Sequence, residues 1–123
     1  MAKVKISDAE MELLQLLWGR SPLTAAELGE LVPDRRGWQL ATVKTLLSRL
    51  VAKGAVRAEP KGRRFLYFPA VERDALALEH AGRLLDRMFG GRVSPLVAQL
   101  AEQRALSRED LDELEALVKS LRQ

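Results

Sequence analysis

The hydrophobic pattern of this chain leaves the helical period in one place, directly after three helical segments. Ala55-Val56-Arg57-Ala58-Glu59 and Arg64-Phe65-Leu66-Tyr67-Phe68 are short β-prone runs around Pro60-Lys61-Gly62-Arg63. They read as a hairpin with a basic tip, ended by Pro69. Upstream, Ser7-Asp8-Ala9-Glu10 is a capping box, in which hydroxyl and carboxylate satisfy orphan backbone N–H groups, and Ile6 and Met11 sit where a hydrophobic staple belongs. The helix it opens is expected to bury Leu13, Leu14, Leu17 and Trp18 and to stop near Gly19. Thr24-Ala25-Ala26-Glu27 repeats the device with Leu23 and Leu28 as staple, and its short helix ends before Pro33. Two helices joined so tightly must cross at a steep angle.

The third helical pattern is WQLATVKTLLSRLVAKG, residues 38–54. Val43, Leu46, Leu47 and Leu50 follow the i, i+3, i+4, i+7 spacing of one buried face. Gly54 suits the position after the last turn, with the cation Lys53 before it. Gln39 stands where a better N-cap is expected, and Trp38 reads as a packing wedge at the start of the helix. The outward positions are Gln39, Thr42, Lys44, Thr45, Ser48, Arg49 and Lys53, without a single carboxylate.

That face belongs to a basic half. Residues 1–70 hold 12 Lys/Arg against 7 Asp/Glu, whereas residues 71–123 hold 8 against 10. Within 35–64 there are nine basic residues and one acid, Glu59. Such concentration points to a polyanionic partner for the first half and a different task for the second.

Three helices followed by a two-stranded hairpin is the order of a winged helix-turn-helix, whose third helix enters the major groove while the hairpin reaches the flanking backbone or minor groove. Hydroxyl side chains at Thr42, Thr45 and Ser48 let a helix approach base edges, and Lys44, Arg49 and Lys53 suit phosphates. On the wing, Lys61, Arg63 and Arg64 complete the candidate contacts to double-stranded DNA. The fold class expected is mainly α (α+β): a winged helix-turn-helix domain over 1–70 and a three-helix dimerisation module over 71–123.

In the second half one long helix spans 71–89 and breaks at Gly90-Gly91, a second spans about 94–103, and a third opens at Ser107. Their apolar residues exceed what three short helices can bury among themselves, so a second copy of the chain is the expected partner. The candidate homodimer interface comprises Leu85, Met88, Phe89 and Leu96, continued by Leu100, Leu111, Leu114 and Leu117. A dimer presents two recognition helices to a two-fold operator.

Catalysis finds little support. There is no cysteine, hence no disulfide, thiolate metal site or cysteine nucleophile. The single histidine, His80, has no partner at useful spacing and reads as a surface or interface residue. No phosphate loop or metal cluster is signalled, so no enzyme, metal or cofactor is expected. The opening MAKVKISDAEM has no apolar core of signal-peptide type, and no apolar run reaches membrane-spanning length, so a cytoplasmic protein without membrane insertion is expected. The rival to DNA binding is a winged-helix protein-interaction module.

Ile6-Ser7-Asp8-Ala9-Glu10 with Leu17-Trp18, the run Thr42-Val43-Lys44-Thr45-Leu46-Leu47-Ser48-Arg49-Leu50, and Gly62-Arg63-Arg64-Phe65-Leu66-Tyr67 together resemble the penicillinase-repressor (BlaI/MecI/CopY) family over nearly the whole chain. The resemblance implies a dimeric transcriptional repressor on operator dyads, with Thr42 and Thr45 as base readers and the wing arginines on the DNA backbone. Copper-responsive members of that family carry a C-terminal cysteine cluster, which this chain lacks. Members paired with a membrane sensor protease are cut at an Asn-Phe bond; the matching place here is Gln99-Leu100, without that pair.

Overall fold

The computed structural model describes residues 5–123. The N-terminal reading above therefore rests partly on residues 1–4, which lie outside the described ones. The elements are α1 (Asp8–Gly19), α2 (Ala25–Leu31), a 3-10 turn (Asp34–Arg36), α3 (Leu40–Ala52), β1 (Val56–Lys61), β2 (Arg64–Pro69), α4 (Arg73–Met88), α5 (Val93–Gln103) and α6 (Arg108–Leu121). They divide into two compact units, Met1–Leu76 and Ala77–Gln123, the divide falling inside α4. The chain is mostly helical with one small sheet, a winged helix-turn-helix followed by further helices.

Both capping boxes form. Ser7 Oγ accepts from the Glu10 amide at 3.1 Å while Glu10 Oε1 accepts from the Ser7 amide at 2.8 Å. Thr24 and Glu27 do the same at 3.1 and 2.9 Å. These bonds satisfy donors that a helix start would otherwise leave exposed, which fixes where α1 and α2 begin. α3 begins at Leu40 with Gln39 at the N-cap, the position where a cap is expected, but the Gln39 side chain makes no capping hydrogen bond.

The first unit has one core. Leu13, Leu14 and Leu17 of α1, Leu28 of α2, and Val43, Leu47 and Leu50 of α3 are fully buried, joined by Leu23, Ala55 and Val56. Leu46 is also buried, so all four residues of the α3 inner face point inward as its periodicity requires. Trp18 is only half-buried, and its indole Nε1 donates to the Val71 carbonyl at 3.0 Å. Trp38 packs against the core with the Arg36 guanidinium 5.2 Å above its ring.

The hairpin is longer and its turn tighter than the β-prone runs indicated. β1 and β2 pair antiparallel from Val56↔Pro69 through Pro60↔Phe65 to Lys61↔Arg64, leaving Gly62 and Arg63 as the turn. Gly62 has φ +64, a conformation open to glycine at little cost. Pro60 can sit inside β1 because a two-stranded sheet has only edges. Leu23, between α1 and α2, forms an isolated bridge to Tyr67, with N–H···O distances of 3.2 and 2.8 Å, and so seats the hairpin on the helices.

In the second unit Ser107 caps α6 by accepting from the Asp110 amide at 3.0 Å. No residue of α5 or α6 is buried among those described. None of the described helices is long and apolar enough to cross a membrane.

Candidate nucleic-acid interface

α3 has a buried side and an exposed side. At about 100° per residue, the centre of the exposed arc falls on Ala41, Thr45, Ser48 and Ala52, with Lys44 on one flank and Arg49 and Thr42 on the other. All of these side chains are exposed, as are Gln39 and Lys53. The exposed Thr45 donates its hydroxyl to the Ala41 carbonyl at 3.0 Å, so its oxygen can still accept a hydrogen bond. A cleft of about 380 Å³ between α3 and the wing is lined by Leu40, Lys44 and Ser48 on the helix and by Arg63, Arg64 and Phe65 on the hairpin. On the far flank a shallower recess is lined by Ala41, Thr42, Thr45 and Arg49.

The nine cations between 35 and 64 fall into two groups. Four have a carboxylate partner within the chain. Arg36 donates to Glu12 Oε2 at 2.6 Å, and Arg35 lies 3.7 Å from the other oxygen of that carboxylate. The Arg36 hydrogen bond holds the Glu12 carboxyl below its ordinary range. Arg57 is bonded to Glu59 and stacked 4.3 Å over the Phe68 ring. Lys53 donates to Glu10 Oε1 at 2.5 Å and to the Lys5 carbonyl at 2.7 Å. Among the described residues, Lys44, Arg49, Lys61, Arg63 and Arg64 make no ion pair. These five all lie on α3 or the wing.

The fold thus brings most of the expected contact residues onto one surface, but it engages the Lys53 ammonium elsewhere. Burial raises the Glu10 pKa, but the bonds from Lys53 and Ser7 prevail and lower it, so the buried carboxylate keeps its charge and its cation. The sequence reading omitted Leu40, Ala41 and Phe65, because it sought polar and charged outward residues. The signal available for Leu40 and Phe65 was an apolar residue off the buried stripe.

In the second unit Leu85, Phe89 and Leu96 are half-buried, whereas Met88, Leu100, Leu111, Leu114 and Leu117 are exposed. Gln99 and Leu100 are both exposed on α5. His80 is half-buried with Nε2 lacking a hydrogen-bond partner. No group of metal-ligating side chains is gathered among the described residues.

Helix, helix, helix and wing, with free cations on the third helix and the hairpin, define the winged-helix class that the sequence order indicated. The model of the penicillinase repressor family matches residues 6–120, and the chain belongs to that family. It is 30% identical over 110 residues to the penicillinase repressor of Bacillus licheniformis, covering 89% of this chain and 86% of that one. A 16.5 kDa protein encoded in the ptsI 3′ region of Latilactobacillus sakei is 33% identical over 115 residues, covering 93% and 78%. The solution structure of the Bacillus licheniformis BlaI monomeric form in complex with the blaP half-operator superposes with a TM-score of 0.51 at 33% identity, covering 60% of this chain and 92% of that one.

Proposed function

We propose that this protein is a transcriptional repressor that binds double-stranded operator DNA as a homodimer. The observation that carries the reading is the sorting of the nine cations between residues 35 and 64: the five that make no ion pair with a described residue, Lys44, Arg49, Lys61, Arg63 and Arg64, all lie on α3 or the wing. A solvated surface gains nothing from such segregation, whereas a phosphate backbone is met by it. In this reading Thr45 and Ser48, at the centre of the arc, with Thr42 beside them, face base edges. Lys44, Arg49, Lys61, Arg63 and Arg64 hold phosphates, and Gln39 sits at the edge of the contact. The likeness to the BlaI–half-operator complex supports this arrangement.

The helices after residue 70 serve as the dimerisation module. Exposed Met88, Leu100, Leu111, Leu114 and Leu117 extend the half-buried Leu85, Phe89 and Leu96, and a second copy covering them would remove that apolar area from water. Gln99-Leu100, exposed on α5, is where a membrane sensor protease would act on this chain. The protein works on DNA in the cytoplasm, and catalysis has no part in the reading.

Gel-shift titration of genomic fragments at two salt concentrations tests the proposal. A specific subset of fragments should shift, with affinity falling steeply as salt rises. Absence of salt-dependent binding would favour a protein-interaction module on the same fold.

A further inference from the structure

The two faces of the wing differ. Opposed residues of an antiparallel pair share a face, so Val56/Pro69, Ala58/Tyr67 and Pro60/Phe65 lie on one side of the hairpin. That side carries no charged residue. It begins in the core, where Val56 is 2% exposed, and runs out to Phe65, which is 51% exposed. Across the cleft Leu40, the first residue of α3, is 45% exposed. Lys44, Arg63 and Arg64 line the same cleft. Two large apolar side chains are thus left uncovered among three cations, on the surface where exposed apolar area has least reason to be kept.

One chemical object matches that combination. A sugar–phosphate strand alternates an apolar deoxyribose with an anionic phosphate. In a winged-helix complex α3 occupies the major groove and the wing the flanking backbone or minor groove. The strand dividing those grooves then passes between the two elements, through this cleft. We infer that Phe65 and Leu40 form an apolar seat for a deoxyribose of that strand, while Lys44, Arg63 and Arg64 hold its phosphates. Phe65 is then a positioning residue: it sets the depth and register of α3 without reading sequence. The inference rests on the DNA-binding reading above.

The three kinds of DNA contact leave different marks. Loss of a base reader weakens the selected site alone. Loss of a phosphate contact weakens all sequences and lowers the salt slope. Loss of a sugar seat weakens all sequences and leaves the slope unchanged, since no counterion release is lost. Phe65→Ala, Phe65→Leu and Leu40→Ala in the full chain should be titrated by fluorescence anisotropy over a range of salt. Two duplexes serve as probes, one selected by the wild-type protein from a randomised pool and one of mixed sequence. Phe65→Ala and Leu40→Ala are expected to bind both about tenfold more weakly with an unchanged slope, and Phe65→Leu to recover most of the loss. A loss confined to the selected duplex, a reduced slope, or unchanged affinity in both alanine variants would overturn the seat while leaving DNA binding intact. A wild-type protein that binds neither duplex would overturn the DNA reading itself.

Discussion

Lys53 and Glu10, at opposite ends of the first three helices in the chain, meet at 2.5 Å from Nζ to Oε1. Glu10 is 1% exposed and Lys53 35%, so the ammonium plugs a buried carboxylate that also closes the cap of α1. The same Nζ reaches the Lys5 carbonyl at 2.7 Å, tying the segment before α1 to the end of α3. The orientation of α3 against α1 is therefore held by an ion pair as well as by leucines.

Removing the cation strands the carboxylate. Lys53→Met is expected to cost about 1–3 kcal/mol of stability at neutral pH, the scale for leaving a buried polar group short of a partner. Because the ammonium is already engaged, the same change should leave the salt slope of DNA binding unaltered. Denaturant unfolding and a salt titration on one protein preparation check both halves.

Acid should weaken the same pair. The folded pKa of Glu10 lies below its ordinary 4.5, so in acid the unfolded chain takes up this proton first. The stabilisation is complete above 4.5 and is lost as pH falls through the lower folded value. Unfolding midpoints measured from pH 7 downward should decline over that window, and the difference between wild type and Lys53→Met should shrink with them. A constant difference would assign the cost to packing of the lysine stem.

Thr45 and Arg64 are expected to separate by the kind of loss. Thr45→Ala should cost about 1–3 kcal/mol on the selected site and little on mixed-sequence DNA, relaxing selectivity at one position. Thr45→Val, which keeps the methyl and loses only the hydroxyl bound to Ala41, should fall between the two. Arg64→Ala should weaken every sequence alike and flatten the salt dependence by about one unit. Equal losses from Thr45→Ala and Arg64→Ala on both DNAs would contradict this division.

The exposed leucines of α5 and α6 predict the oligomeric state. Leu100→Asp and Leu114→Asp each place a charge on a surface proposed to be shared by two copies, and sedimentation should show a lower mass for both. A wild-type mass with either variant would take that residue out of the interface. Operator affinity should fall with dissociation, since two linked recognition helices act at a high effective concentration.

Much of this architecture was legible beforehand because its causes are local. A capping box is decided by residues three apart, and the inner face of α3 by the recurrence of Val43, Leu46, Leu47 and Leu50. The basic tip of the wing was readable too, since Lys61, Gly62, Arg63 and Arg64 are consecutive in the chain. A less local feature escaped. Pro60 read as turn, yet it takes a strand position because the hairpin has no inner strand to demand its missing N–H.

By itself, then, the sequence determined the order of elements, their caps, and the concentration of positive charge between 35 and 64. Those depend on spacing along the chain, and spacing is what a sequence records. The tertiary structure decided which cations remain free. In the sequence Lys53 is one more outward basic residue of the third helix, but folding sets it beside an acid 43 positions earlier. It also decided where Phe65 goes, carrying an apolar face out of the core and into the cleft beside α3. Charges and apolar groups are neutralised or covered by neighbours in space, and those neighbours exist only once the helices have packed.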